Sequence, residues 1–82
     1  MINNATYSPC GRYIATANEN GSIKIFEIET GALLRVIEGN PDALVSISYS
    51  PDGKNILTAS KCGTLSIWEA ETGKIIYTVA DE

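Results

Sequence analysis

Few residues in this chain have types that could do chemistry, and their spacing does not favour it. Histidine is absent from all 82 positions, which removes the commonest general acid–base and the commonest metal ligand. No serine or cysteine therefore has the imidazole partner that a nucleophilic triad needs. Cys10 and Cys62 stand far apart and form no metal-ligand spacing. Acid pairs recur at Glu27/Glu29 and Glu69/Glu71, and two carboxylates can serve as acid and base in hydrolysis. Each pair flanks a turn, an ordinary solvated position, so neither is read as catalytic. Gly53-Lys54 lacks the Gly-rich lead of a phosphate loop. The expectation is a protein that is not an enzyme and takes no cofactor or metal.

Charge narrows the partners. Ten acids against six bases give a net charge of −4, which argues against a binder of nucleic acid, whose affinity rests on Lys and Arg neutralising phosphates. Apolar runs are only a few residues long, far short of the roughly 20 of a transmembrane helix, so no membrane partner is expected. Met1-Ile2-Asn3-Asn4 lacks the basic start and apolar stretch of a secretory signal. The expected location is cytoplasmic, with reduced thiols. In that setting Asn4-Ala5-Thr6 and Asn20-Gly21-Ser22 match the glycosylation sequon by chance.

What must position every residue is a repeat. A shift of 42 residues lays Tyr7-Ser8-Pro9 on Tyr49-Ser50-Pro51, Thr16-Ala17 on Thr58-Ala59, and Glu29-Thr30-Gly31 on Glu71-Thr72-Gly73, without a gap. Gly11, Ile14, Gly21, Ile25 and Glu27 meet identical residues under the same shift. Within each copy, short runs rich in Ile, Val, Thr and aromatics alternate with turn residues, the pattern of an all-β fold. In the second copy strands are expected over Leu44–Tyr49, Asn55–Ser60, Thr64–Ala70 and Lys74–Ala80, and the first strand of the chain near Ile2–Tyr7. Ser50-Pro51-Asp52-Gly53 suits a tight turn, and Cys62-Gly63 and Glu71-Thr72-Gly73 supply glycine to the next two. No window of twelve residues escapes a Gly or Pro, so helix is a poor alternative. Runs such as Ile23–Ile28, Ala32–Ile37 and Ile75–Val79 place apolar residues at both parities, as expected of strands covered on both faces. Four-stranded sheets sandwiched in tandem are propeller blades.

The second copy, Ser50-Pro51-Asp52-Gly53 through Gly63-Thr64-Leu65-Ser66-Ile67-Trp68-Glu69, resembles the core of a WD40 repeat, whose period is about 40–45 residues. The resemblance spans essentially the whole chain, with worn signature residues. Trp68-Glu69 and Phe26-Glu27 stand where the family has Trp-Asp, and Gly39-Asn40 where it has Gly-His. The turn Asp is Asn20 in one copy and Cys62 in the other. The family's buried Asp–His–Ser/Thr–Trp chain therefore cannot form in full; Thr16 and Thr58 are its surviving hydroxyls, and apolar packing is expected to hold the blades. The implied fold is all-β: two four-stranded antiparallel propeller blades, the first over residues 1–38 and the second over 39–82 with the inter-blade loop 39–43.

Two blades do not close a ring. The expected outcome is homo-oligomerisation, blade two of one chain packing head to tail on blade one of the next. Three chains would give six blades, four eight and five ten; four is the favoured number. The alternatives are a piece of a longer WD40 protein and a small-molecule or sugar-binding propeller, and an engineered or relic chain stays open beside them. For the sugar-binding case the first strands offer only small neutral residues: Asn3, Asn4, Ala5, Ser46 and Ser48.

As a scaffold, the partners are copies of itself and a basic peptide or protein. One rim would gather the loops carrying Glu19, Glu38, Asn40, Asp42 and Lys61, joined by Asp81-Glu82, and WD40-type propellers commonly bind peptides there. The turns at Pro9–Arg12, Pro51–Lys54, Glu29–Gly31 and Glu71–Gly73 would share the other rim. Trp68, Phe26, Tyr7 and Tyr49 are read as packing residues. Cys10 and Cys62 fall at opposite strand ends, about 17–20 Å apart, too far for a disulfide.

Overall fold

The computed structural model describes residues 1–38 and 42–80. Eight six-residue strands follow one another: β1 (Ile2–Tyr7), β2 (Tyr13–Asn18), β3 (Ser22–Glu27), β4 (Leu33–Glu38), β5 (Leu44–Tyr49), β6 (Asn55–Ser60), β7 (Thr64–Glu69) and β8 (Ile75–Ala80). They form two antiparallel sheets in plain sequence order, β1-β2-β3-β4 and β5-β6-β7-β8. Each sheet is a blade, and no strand is shared between them. Ala70 and Lys74, expected inside β7 and β8, lie just outside. Glu69 N donates to Lys74 O at 2.8 Å, closing the turn one residue sooner at each end.

Register assigns every side chain to a face, because successive residues on a strand alternate and directly paired residues share a side. In blade one, Ala15 pairs with Ile25 and Ala17 with Ile23, and Ile23 pairs with Ile37. These five residues are buried and form one face. In blade two, Ile56 pairs with Trp68 and with Tyr49, and Leu44 with Ser60. Leu44, Ile47, Ile56 and Trp68 join the blade-one residues in one core cluster. The junction is thus a face of β2-β3-β4 covered by β5 and its neighbours, with β5 lying along β1 and β2.

Among the described residues, two side-chain hydrogen bonds cross this junction. Asn3 Nδ2 donates to Leu44 O at 3.0 Å, and Arg35 Nη1 donates to Ala70 O at 3.1 Å. Two turns of blade two also press on blade one through glycines at φ +75° and +79°. A Cβ at Gly53 would lie 3.3 Å from the Pro9 ring, and one at Gly73 would lie 3.1 Å from Ile37. Glycine is needed there both for the positive φ and for the close approach.

The reverse faces are open. β8 is exposed at all six positions and β1 at five of six, so a single chain does not cover its strands on both sides as the apolar parity implies. Exposed Val45, Leu57, Leu65, Tyr77 and Val79 lie on the free face of blade two, and Ile2 and Tyr7 on that of blade one. Paired residues at mid-strand cannot hide from both sides without a neighbouring sheet on each.

The blades also hold more buried polarity than apolar packing alone implies. Thr16, Asn18, Ser22, Thr58, Ser60 and Ser66 are all buried. Among the described residues no buried side-chain N or O lacks a partner. Trp68 Nε1 donates to Thr58 Oγ1 at 3.0 Å, so the hydroxyl–indole end of the WD40 hydrogen-bond chain survives in blade two. In blade one Phe26 has no donor. Asn18 Nδ2 donates instead to Thr16 Oγ1 at 3.3 Å and to Ser22 O at 2.9 Å. Replacing Thr58 with Val strands the buried indole N–H, and should lower unfolding free energy by about 1–3 kcal/mol. Urea unfolding followed by Trp68 fluorescence measures this.

Candidate functional site

The strand order sends β2–β3 and β6–β7 turns, the end of β4 and the start of β5 to one rim. Glu19, Glu38, Asp42 and Lys61 all stand there, three acids to one base. Asn40 and Asp81-Glu82, expected to join them, lie outside the described residues. The rim residues are only partly free to meet a partner. Glu19 Oε1 accepts from Asn3 Nδ2 at 2.8 Å, which ties it to the residue that clamps the junction. Asp42 Oδ2 accepts from Cys62 N at 2.8 Å, fixing the loop before β5 to the β6–β7 turn. Hydrogen bonds from Cys62, with a smaller contribution from the Lys61 charge, hold the Asp42 carboxyl below its ordinary 3.8. Asp42 is thus a strut as well as a surface charge. Glu38 ends β4, exposed and paired in register with Ser22.

The opposite rim is built from the Ser-Pro turns. Ser50 Oγ donates to Asp52 Oδ1 at 2.6 Å and accepts from Asn55 N at 3.0 Å, while Asp52 Oδ1 takes Lys54 N at 2.9 Å. Cys10 occupies the matching place in blade one. Its Sγ lies 3.3 Å from Ser8 Oγ, where a carboxylate would sit. The Ser8 hydroxyl, then the Arg12 amide, lower the Cys10 thiol from its ordinary 9.0. At the Ser-Pro end of the blade junction, a groove of about 510 Å³ is lined by Tyr13, Arg35, Tyr49 and Glu71. Burial pushes the Tyr49 phenol above 10.0, and Arg35 only partly offsets it.

Sequence reasoning missed Cys10 and this groove. Cys10 carried a usable signal, since the 42-residue shift aligns it with Asp52. The groove carried none, because its walls come from strands that only the junction brings together. Both cysteines are exposed free thiols. Among the described residues no three Cys, Asp or Glu converge on a metal-sized site.

Two measurements follow. Replacing Ser8 with Ala removes the main hydrogen bond favouring the thiolate, so Cys10 should alkylate more slowly at neutral pH, as iodoacetamide kinetics by mass spectrometry would record. Asp42 and Asp52 both titrate below 3.8 in the fold, Asp52 chiefly through Ser50. A depressed carboxylate contributes stability above its unfolded pKa and loses it as pH falls through the folded value. Asp52→Asn should therefore lose less of its unfolding midpoint than the parent between about pH 6 and about pH 2.

The comparisons agree with this geometry. The WD40 family model (WD domain, G-beta repeat) matches residues 2–27 and 31–69. Among solved structures, the WD40 repeats of RRP9 superpose with a TM-score of 0.92 at 26% identity over 99% of this chain. The structure of U3-55K gives 0.92 at 25% over 99%. The β-propeller domain of Cps50 (Swd1), described as from Myceliophteria thermophila, gives 0.92 at 22% and bears on the fold alone. The chain spans 26–27% of the length of these three structures, about a quarter of each. No individual curated protein matches by sequence. The period, the two serial four-stranded sheets and these matches together make the chain a member of the WD40 repeat family, whose domains typically act as interaction scaffolds.

Proposed function

We propose that this chain is a non-enzymatic interaction scaffold: a two-blade unit that completes a propeller ring with copies of itself, four chains and eight blades, and presents its acidic rim to a basic peptide or protein segment. The open apolar faces on both outer sides of the blade pair carry the first half of this reading. Each face is roughly 19 by 18 Å, or about 350 Å², from strand spacing and length. Covering one stabilises by about 9 kcal/mol before entropy is subtracted. Two bare faces approach the largest apolar patches that soluble monomers expose. A cytoplasmic setting suits the free thiols.

The acid bias of the rim supports the second half. Repeated around a ring, Glu19, Glu38 and Asp42 would give a surface that draws in cationic segments and speeds their encounter. Asp42 is a poor choice for testing this, since its carboxylate anchors the Cys62 amide. Glu38 is exposed at a strand end and Glu19 in a turn, so charge reversal at both spares the strand ladders and gives up only the exposed Asn3–Glu19 hydrogen bond, Asn3 keeping its bond to Leu44 O. The Glu19→Lys/Glu38→Lys variant should bind a Lys/Arg-rich peptide about tenfold more weakly at low salt and keep its parent's solution mass. Fluorescence anisotropy beside light scattering reads both. Unchanged peptide affinity would reject the docking rim.

A further inference from the structure

The open face of blade two repeats, residue for residue, the face of blade one that is already covered. Under the 42-residue shift Ala15, Ala17, Ile23, Ile25, Arg35 and Ile37 become Leu57, Ala59, Leu65, Ile67, Tyr77 and Val79. The open face of blade one likewise repeats the covering face of blade two. Leu44, Ile47, Tyr49, Ile56 and Trp68 correspond to Ile2, Ala5, Tyr7, Ile14 and Phe26. The junction inside the chain is therefore a template for one between chains.

The differences from that template compensate. Inside the chain, fully buried Ala15 on β2 and buried Ile47 on β5 belong to one core cluster, small beside large, and those two strands touch. On the open faces the sizes are exchanged. Leu57 adds three carbons where Ala15 stood, and Ala5 lacks three where Ile47 stood. A packed interface tolerates exchanges that conserve total volume and resists those that do not. Neither face would fit a second copy of its in-chain partner as well: Leu57 would crowd an Ile, and Ala5 would leave a void beside an Ala.

The glycine turns tell the same story. Gly53 and Gly73 touch Pro9 and Ile37, whereas their counterparts Gly11 and Gly31, at nearly the same φ, have nothing within 4 Å. A neighbouring blade two would bring Pro51 and Val79 to those places. Charge changes with size: Arg35, which clamps the in-chain junction, is Tyr77 on the open face, and Asn3 is Val45. The junction between chains is thus the more apolar of the two.

We propose that the open face of blade two docks on the open face of blade one in a second copy of this chain, with Leu57 seated against Ala5. This rests on the ring reading above and specifies its contact. One such junction buries only about 700 Å² by the face dimensions, below the roughly 1,200–2,000 Å² of a stable two-body interface. An isolated pair of chains is consequently weak. A closed ring, in which each chain makes two junctions, gains from its own effective concentration.

The experiment is a size exchange followed by sedimentation velocity over a concentration series. The parent should sediment as a closed multiple of the 8.8 kDa chain. Leu57→Ala opens a void and Ala5→Ile crowds Leu57; both positions are exposed in a lone chain, and each change should weaken assembly about 30-fold or more. The double variant restores the residue types of Ala15 and Ile47 at their repeat-related places and should recover assembly to within a few-fold of the parent. Trp68, buried in the in-chain junction, reports on folding independently of assembly, and its emission should be unchanged in all three. If Trp68 emission shifts in Leu57→Ala, the exposed-face assignment of Leu57 is wrong and the proposal falls with it. If the parent is monomeric at every concentration, further blades of another sequence cover the faces, and the ring reading and this contact fall together. If the parent assembles but the double variant is no better than the singles, the ring stands and this contact is wrong.

Discussion

A β-sheet whose residues are apolar at both parities must be covered twice, and this requirement governs the molecule. Blade one meets it on one side by receiving β5 and the turns of blade two; blade two meets it on one side by supplying them. Everything else about the junction serves that contact. Glycine allows the Gly53 and Gly73 turns to approach within van der Waals distance of Pro9 and Ile37. Asn3 and Arg35 reach across to backbone carbonyls that no strand partner would satisfy. The rims are the by-product: once blades stack, their turns must collect at two ends.

The sequence was most legible where one interaction sets one residue type. Strands β5 and β6 begin and end where expected, because Pro and Gly bracket them. Boundaries near Ala70 and Lys74 were less legible, since the hydrogen bond between Glu69 and Lys74 depends on the turn that closes between them. The core was overstated on the apolar side. Thr16, Asn18, Ser22 and Ser66 look like surface residues in sequence, yet backbone and side-chain partners let them be buried at low cost. The worn WD40 signature was informative on one point: losing His and Asp shortens the polar chain but leaves the Thr58–Trp68 end that the surviving hydroxyl implies.

The candidate sites divide in the same way. Rim membership was an inference from strand order alone. The dual role of Asp42 could not be inferred that way, because it needs the β6–β7 turn to lie beside the loop before β5, a proximity across twenty residues. Cys10 was readable by repeat alignment with Asp52. Its Sγ, 3.3 Å from Ser8 Oγ, shows that the turn keeps a polar contact at that place, now made with sulfur.

Both sheets keep all four of their own strands, so no backbone ladder runs from one blade into the next. Cohesion between blades is therefore chiefly the withdrawal of apolar surface from water, with few directional bonds. Such cohesion carries a large negative heat-capacity change and fades on cooling, whereas the ladders within each blade do not share that dependence. Cold should part the blades before it unravels them.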